Sequence, residues 1–404
     1  MIAPLLLAAL PLGQTFTVDD DGPADFAAID QAIAAVAPGD VLLVSPGTYG
    51  NFVLDKELTI LGLPNQPRPR IPGPSRVEGA PRATLAGLSF TQLRAVSVPG
   101  RLRIDDCNFG LLPGSANADA SLEISSCDQV EVTRVTAEGV HDICFGDQSA
   151  ATITNSTVVV VDSSFTGGDA AHLCGSPGKD GGAGMSVVGS DTLVTVVGSF
   201  LTGGNCGFNS GLFINDGQDG DALFVNGGTV VVRGSTADLL MPNQWSSCEG
   251  PEGHAVKAFD GTIVLSGVTL VAPAFSLDDT LLLGPVPAQP YLGITGTDGP
   301  GGERRVLVYG PAGAPFLLLT SLVEAFTPWP GVEGLVWLDP LAPFQAVVLT
   351  AAGQDVAEAF LVPLPAGSGL EGITLTTQAV FPQVAGALDP AAVLVTNPAS
   401  IVLR

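Results

Sequence analysis

The sequence predicts an all-β protein whose chain winds into a coiled β-solenoid. A short strand-like pattern recurs eight times at intervals of 19 to 36 residues, and 51 glycines among 404 residues supply the turns that such a winding needs. Self-similarity at intervals of about 20 to 50 residues is typical of repeat architectures. The copies begin at Leu58, Ala83, Leu102, Val130, Val158, Val194, Val230 and Ile263.

Each copy is predicted to be a strand, because its apolar residues alternate with a period of two. A second short strand is predicted to begin eight residues before most copies, with a Gly, Asn or Asp corner such as Gly227-Gly228 between the two. Two strands, a corner and a return loop would form one coil. The second strands are predicted to start at Leu122, Ala150, Ala222 and Ala255.

The unequal intervals indicate where the extra residues lie. Strands cannot change length without turning their inward side chains outward, so we expect one variable loop per coil, at one corner. These loops would stack into one surface, and loops carry function more often than strands do. The predicted loops span residues 110–119, 139–149, 167–182, 203–221 and 239–253.

The first 15 residues are apolar and have the length of the apolar part of a signal peptide. We therefore predict a signal peptide over residues 1–15 and a secreted or surface-exposed protein. No other segment is long and apolar enough to span a membrane.

An amphipathic helix is predicted before the first coil, with Asp25 as its N-cap and Pro38-Gly39 as its end. Such a helix would cover the open apolar end of a solenoid. Its apolar face would consist of Phe26, Ile29, Ile33 and Val36.

The segment before the repeats resembles the entry segment of secreted right-handed parallel β-helix proteins, the pectate-lyase-like superfamily. The matching runs are Val18-Asp-Asp-Asp-Gly22, Ile29-Asp-Gln-Ala-Ile33, Pro38-Gly-Asp-Val41 and Pro46-Gly-Thr-Tyr49. The resemblance implies a right-handed parallel β-helix of about eight coils, which we place at residues 16–275. The superfamily includes polysaccharide lyases, glycoside hydrolases, epimerases and adhesins, so the shared fold implies no particular activity.

The strand pattern stops after Val271, and residues 276–404 are Pro-rich with short apolar runs. Turn signals between these runs predict a small C-terminal β-sandwich. It would be either an attachment or carbohydrate-binding module or a structural cap over the last coil. The runs are 306–309, 316–320, 335–338, 346–349, 359–364, 373–376 and 393–396.

The net charge of −25 restricts the partners. Nucleic acids and anionic membranes are disfavoured, and so are anionic polysaccharides unless a cation such as calcium bridges them. No other cofactor is indicated, and the sequence carries no signal for an oligomeric state. The run Asp19-Asp20-Asp21 lacks the alternating ligands and later Glu of an EF-hand, which favours a turn.

The predicted loops carry two of the three histidines and four of the six cysteines, and His254 directly follows the last loop. Three interpretations compete. The favoured one is a pair of disulfides, Cys144–Cys174 and Cys206–Cys248, each contributing about 2–4 kcal/mol in a secreted protein. A metal site is the second, although the paired spacings of structural zinc sites are absent.

Catalysis is the third interpretation, because carboxylates share the loop surface with the histidines and paired carboxylates can hydrolyse a glycosidic bond. The candidates are His141, Asp142, His172, Asp180, Asp219, Asp221, Glu252 and His254. Asp105-Asp106 with the later His141 also resembles the Asp-Asp and His elements of the polygalacturonase branch. The Asn-Thr-Asp, Gly-His-Gly and Arg-Ile-Lys motifs of that branch are not found. Trp245 is a candidate platform for a sugar ring.

These observations favour a non-catalytic protein with a binding or structural role and a polysaccharide or cell-surface glycan as the ligand. A polysaccharide lyase or glycoside hydrolase acting on the stacked loops is the first alternative. An adhesin-like rod that binds proteins is the second.

Overall fold

The computed structural model describes most of the repeat region and shorter segments near the C-terminus. The first part comprises residues 13–110, 120–139, 148–170, 180–206, 218–234, 239–241, 253–270 and 275–286. The second comprises residues 291–296, 303–311, 313–321, 324–327, 332–333, 336–338, 344–351, 358–363, 374–382, 393–396 and 399–402.

Twenty-four strands form one parallel sheet, and within the described residues one helix, α1 (Ile29–Ala35), accompanies them. The strands are β1 (Thr15–Val18), β2 (Val41–Val44), β3 (Val53–Leu54), β4 (Leu58–Gly62), β5 (Arg70–Glu78), β6 (Arg82–Ala86), β7 (Ser89–Val96), β8 (Arg101–Asp105), β9 (Asn108–Phe109), β10 (Ala120–Ser125), β11 (Gln129–Thr133), β12 (Thr136–Glu138), β13 (Ser149–Thr154), β14 (Thr157–Val161), β15 (Ser164–Thr166), β16 (Met185–Val188), β17 (Leu193–Val197), β18 (Phe200–Thr202), β19 (Leu223–Asn226), β20 (Thr229–Arg233), β21 (Leu239–Met241), β22 (Val256–Ser266), β23 (Thr269–Leu270) and β24 (Phe275–Val286).

The predicted parallel β-helix is confirmed, and the eight sequence copies stack in register. Leu58 pairs with Ala83, and the pairing continues through the starts of the other six copies to Ile263. We call this stack the first column. Side chains at these starts are buried and form the core of the rod. The column is longer than the eight copies, because β1 and β2 precede them and β24 follows.

The second strands of the coils stack into a second column, which is shifted by one residue from the prediction. Leu122 pairs with Ala151 rather than Ala150, and the column continues through Met185, Leu223 and Val256. The reason is the corner that joins the second strand of a coil to the first column. This corner has one residue fewer between β13 and β14 than between β10 and β11. A fixed offset of eight residues therefore assigned the later starts one residue too early.

From β9 onward, the described coils contain a separate third strand that the sequence analysis did not predict. Phe109, Ala137, Phe165 and Leu201 lie in line on β9, β12, β15 and β18, and their side chains are buried. These strands have only two or three residues, which is too short for a visible alternation. The predicted variable loops lie between this third column and the second column of the next coil. The exception is β21, which falls at the start of the last predicted loop.

Buried serines align the corner that follows the first column. The Ser163 hydroxyl accepts a hydrogen bond from the Val135 backbone N–H at 3.1 Å and donates to the Val161 carbonyl at 2.8 Å. The Ser199 hydroxyl repeats both bonds one coil later, with the Ser163 N–H and the Val197 carbonyl. The small hydroxyl residues at this position thus provide hydrogen-bond partners for the backbone where the strand pairing is interrupted.

Helix α1 lies against β1 at the N-terminal end of the rod and buries Ile29 and Ile33. Its N-cap is Ala28, without a side-chain hydrogen bond, so the prediction of Asp25 as the cap is wrong. The Asp25 carboxylate instead accepts hydrogen bonds from the backbone N–H and hydroxyl of Thr17 at 2.8 and 2.9 Å, and these bonds lower the pKa of Asp25. Strand β1 begins at the last residue of the predicted signal peptide, whose residues 1–12 lie outside the described part.

At the C-terminal end of the rod, the described residues include apolar side chains that are partly exposed. Phe275 and Leu277 stack on the buried residues Val256 and Ala258, yet their side chains are 39% and 37% exposed. Because β24 belongs to the parallel sheet, the sheet extends past residue 275 to Val286. Strand β25 near the C-terminus approaches β17, in the middle of the first column.

The C-terminal strands are mostly antiparallel, and each predicted apolar run coincides with one of them. They are β25 (Tyr291–Gly296), β26 (Glu303–Tyr309), β27 (Pro315–Ser321), β28 (Glu324–Thr327), β29 (Val332–Glu333), β30 (Val336–Leu338), β31 (Phe344–Thr350), β32 (Glu358–Pro363), β33 (Thr374–Pro382), β34 (Val393–Val395) and β35 (Ala399–Val402). One sheet contains β25, β26 and β32, a second contains β27, β29, β31, β33, β34 and β35, and β28 pairs with β30. Leu292 and Val306 of the first sheet share a hydrophobic core with Phe316 and Phe381 of the second.

The outer face of the first column holds buried ion pairs. Glu131 Oε2 lies 2.7 Å from a guanidinium nitrogen of Arg101 and 2.7 Å from one of Arg103, and the Glu131 side chain is fully buried. Burial, together with the charge of Arg103, lowers the pKa of Arg101 to about 9, and Glu131 opposes this shift. Next to them, the buried Asp105 carboxylate lies 2.6 Å from a guanidinium nitrogen of Arg134.

Candidate functional site: a cleft at the stems of the stacked loops

The stems of the predicted loops pack backbone against backbone. The N–H of Gly182 donates to the carbonyl of Gly168, the N–H of Gly204 to that of Gly182, and the N–H of Gly220 to that of Gly204, all within 2.9 Å. A Cβ atom on Gly182 would lie 1.9 Å from the Gln148 carbonyl oxygen. The stems therefore approach more closely than any residue with a side chain allows.

Carboxylates hold the stems in place, either across neighbouring coils or within one loop. Asp169 Oδ1 accepts a hydrogen bond from the backbone N–H of Asn205 at 2.7 Å, and Asp180 Oδ1 accepts one from Gln218 at 2.7 Å. Asp219 Oδ1 accepts one from Cys206 at 3.0 Å. Carboxylates at these positions fix the loop stems, so part of their role is structural.

A cleft of about 270 Å³ opens between these stems and the outer face of the second column. We call it the loop-stem cleft. It is lined by Ser149, Asp180, Gly181, Ala183, Ser186, Gln218, Asp219, Gly220, Asp221, Phe224 and Lys257. Hydroxyl, amide and carboxylate groups thus share one concave surface with an aromatic ring.

The second column supplies one wall of the cleft. Ser186, Phe224 and Lys257 occupy the same outward position on β16, β19 and β22, so their side chains follow one another along the rod. The Phe224 ring is half-buried and lies 5.9 Å from the ring of Phe259, measured between centroids. This contact restricts the ring that faces the cleft.

Asp221 connects the loop stems to this wall. Its Oδ1 accepts a hydrogen bond from the His254 backbone N–H at 2.9 Å and lies 3.2 Å from His254 Nδ1. Its Oδ2 lies 3.8 Å from Lys257 Nζ. The carboxylate is almost buried, so these two partners hold it in place at the base of the cleft.

The structure brings together four of the eight predicted catalytic candidates. Asp180, Asp219 and Asp221 line the cleft, and His254 contacts Asp221. The other four, His141, Asp142, His172 and Glu252, lie outside the described residues, as does Trp245. The sequence analysis missed Phe224 and Lys257. Their outward position in the second strand was the available signal.

Among the described cysteines, Cys107 and Cys127 are buried thiols that are not part of a disulfide. Burial raises the pKa of Cys127, which suits an inert thiol in the core. Cys206 is disulfide-bonded, and its partner lies outside the described residues. Cys144, Cys174 and Cys248 also lie outside them, so the pairings Cys144–Cys174 and Cys206–Cys248 stay predictions.

Two acidic groups away from the cleft have structural partners. Asp105 is paired with Arg134, and Asp106 lies 2.7 Å from a guanidinium nitrogen of Arg68, which accounts for both without catalysis.

The carboxylates of Asp19, Asp20 and Asp21 lie within 4.8 Å of one another. Asp20 accepts a hydrogen bond from the Thr48 backbone N–H at 3.0 Å, as expected of a turn that is fixed to the next coil.

Comparison with known proteins gives structural neighbours only. No protein-family profile and no curated protein matches the sequence. The chain is similar to the enzymatically active domain of bacteriophage CBA120 tailspike protein 2, with 10% identity over 92% of this chain and 67% of that one and a TM-score of 0.32. Full-length tailspike protein 2 from Escherichia coli O157:H7 bacteriophage CAB120 matches with 11% identity over 86% of this chain and 56% of that one, at a TM-score of 0.31.

The enzymatically active domain of bacteriophage CBA120 tailspike protein 4 matches with 10% identity over 90% of this chain and 64% of that one, at a TM-score of 0.21. Identities and TM-scores this low support no conclusion about activity.

Among the described residues, no helix has the length and apolar character to cross a membrane.

Proposed function

We propose that the protein binds a glycan in the loop-stem cleft. The observation that carries this proposal is the combination of Asp180, Gln218, Ser149 and Ser186 with Phe224 in one concave surface. Sugar hydroxyls form hydrogen bonds with carboxylate, amide and hydroxyl groups, and the C–H face of a sugar ring packs on an aromatic side chain. The predicted signal peptide would place this surface where extracellular glycans are accessible.

The size of the cleft sets how much of a glycan it holds. About 270 Å³ is at the small end of ligand sites, which suits a short stretch of a sugar chain. Gln218 adjoins residues 207–217 of the predicted loop, which lie outside the described part. We therefore expect affinity to rise with chain length up to a few sugar units and then to level off.

An array of hexose and hexosamine oligosaccharides tests the proposal with the full chain. Phe224→Ala removes the aromatic wall and should weaken binding of the best oligosaccharide by about tenfold or more, as for the loss of a well-packed aromatic contact. Phe200→Ala is the matched control, because Phe200 is a partly buried aromatic residue of the third column and does not line the cleft. Equal binding by the two variants, or no binding by the wild type, would refute the proposal.

Glycoside hydrolysis is the second candidate, favoured by the three carboxylates that line the same cleft. One carboxyl group would protonate the leaving oxygen, and another would activate water or act as the nucleophile. Release of new reducing ends from a bound oligosaccharide is the measurement. Asp180→Asn and Asp219→Asn should each abolish release, whereas binding without any release would leave the protein a binding module.

A further inference from the structure

We infer that a glycan bound in the loop-stem cleft leaves it across the second column, parallel to the strands, and that Phe259 forms a second sugar subsite there. The inference rests on the proposed glycan binding and adds residues that do not line the cleft. The sugar that this subsite takes is a gluco-configured unit, namely glucose or N-acetylglucosamine.

Phe259 is an exposed aromatic residue beside the cleft. It follows Lys257 by two residues on β22, so both side chains lie on the outer side of the sheet. Its ring lies 5.9 Å from the ring of Phe224, measured between centroids, and its side chain is 39% exposed. Single exposed apolar residues are common on protein surfaces, so the neighbours of Phe259 decide whether it forms a site.

Polar side chains flank Phe259 on both neighbouring strands. Asn226 of β19 and Asp278 of β24 are its pairing partners, and neighbouring strands are about 4.8 Å apart. Both side chains are exposed, and within the described part of the chain neither forms a hydrogen bond or an ion pair. An amide and a carboxylate are therefore available to the hydroxyl groups of a sugar ring that packs on Phe259.

The position of this group gives the direction of the glycan. Two residues along a strand advance about 6.7 Å, which is close to the length of one sugar unit. Phe259 lies farther from the loop stems than Phe224, towards the corner at Asp260-Gly261. A glycan that fills the cleft and continues over Phe224 therefore reaches Phe259 by crossing the second column.

A course along the rod axis is the alternative. It would follow the outward row of the second column from Phe224 over Ser186 to Thr152 on the preceding coils. The row beyond Ser186 offers a hydroxyl group but no aromatic ring, whereas the course across the column offers an aromatic ring with an amide and a carboxylate beside it. The side chains therefore favour the course across the column.

The two phenylalanines determine the shape of the sugar. Their rings are tilted by 58°, so two consecutive units of one chain, rather than one flat ring, are needed to contact both. A sugar packs on an aromatic ring through a face that carries only C–H groups. The equatorial hydroxyls of glucose and N-acetylglucosamine leave such a face free, whereas an axial hydroxyl would lie between the two rings.

Calorimetry with the full chain and β-1,4-linked oligomers of glucose or N-acetylglucosamine of increasing length tests the inference. Asn226→Ala removes one hydrogen-bond partner and keeps the contact between Phe224 and Phe259. It should weaken binding of the longer oligomers about three- to tenfold and leave the shortest bound oligomer unchanged. Phe259→Ala removes the aromatic face and should weaken the longer oligomers by about tenfold.

Two control variants accompany them. Thr152→Ala tests the course along the axis, because Thr152 lies in line with Ser186 and does not line the cleft. Val53→Ala removes an apolar side chain that is 56% exposed at the other end of the second column. Both variants should bind oligomers of every length as the wild type does.

The outcomes separate this inference from the proposed function. Wild-type affinity of Asn226→Ala at every length would overturn the second subsite, even if Phe259→Ala binds more weakly, because that variant also alters the contact with Phe224. Weaker binding of the longer oligomers by Thr152→Ala would show a course along the axis and overturn the inference. An absence of binding for both oligomer series would overturn it as well, whereas the proposed function is decided by the oligosaccharide array and Phe224→Ala.

Discussion

The rod has two regions in which charged side chains are concentrated, and they differ in how far the charges are exposed to solvent. On the outer face of the first column, Glu131 is paired with Arg101 and Arg103, and all three side chains are almost completely buried. In the loop-stem cleft, three carboxylates face a concave surface that contains one lysine. Asp219 and Asp221 of the cleft are nearly as buried as Glu131, whereas Asp180 is exposed to solvent and accessible to a ligand.

Removing the central carboxylate of the buried group should have the largest effect. Glu131→Ala leaves Arg101 and Arg103 side by side without their acid, so we expect a loss of about 3–5 kcal/mol in the free energy of unfolding, measured with urea. Glu123→Ala is the control, because its pair with Arg94 at 3.0 Å is partly exposed and should contribute about 1 kcal/mol or less. Similar losses in the two variants would mean that burial does not determine how much these ion pairs contribute to stability.

The Asp105–Arg134 pair allows a second test on the same face. Arg134→Met strands a buried carboxylate and should cost about 3 kcal/mol, whereas the double variant Asp105→Leu/Arg134→Met removes both charges and should recover most of that loss. Additive losses in thermal or urea unfolding would mean that the two side chains do not act as a pair.

The close packing of the loop stems should be sensitive to side-chain volume. Gly182→Ala places a Cβ atom against the Gln148 carbonyl and should cost about 1–3 kcal/mol, because the stems must separate. Gly50→Ala is the control, since a Cβ atom there meets no atom within 4 Å. It should change the free energy of unfolding by less than about 1 kcal/mol.

Neutralising a cleft carboxylate should have the smallest effect on stability. Asp180→Asn keeps a hydrogen-bond acceptor for Gln218, so we expect the free energy of unfolding to change by about 0.5 kcal/mol or less. A loss of stability comparable to that of Glu131→Ala would mean that the Asp180 carboxylate stabilises the fold and is not held in reserve for a ligand.

The sequence was sufficient to predict the first column of the rod and its register, because Val, Ile and Leu recur at inward positions over eight copies. It did not reveal the third column, where single residues such as Phe165 contribute to the core without a pattern. The shift from Ala150 to Ala151 had a similar cause, since a corner can lose one residue without any change in composition.

The site was predictable only in part, and for a physical reason. Asp180, Asp219 and Asp221 stood out because polar residues cluster in the variable loops. Phe224 and Lys257 lie on a strand, and their outward position became informative only when the coil spacing placed them beside Asp221. Glu131 was also unpredictable, because its burial depends on what covers the outer face of the sheet.

The difference between the two ends of the rod gives the molecule a mechanical polarity. Helix α1 covers the first coil, whereas Phe275 and Leu277 leave the last coil partly exposed. Each coil is held mainly by its neighbours, as in other solenoids. Under a pulling force, the chain would therefore peel from the β24 end, one coil at a time, and β22, which carries Lys257 of the cleft, would be among the first strands to unwind.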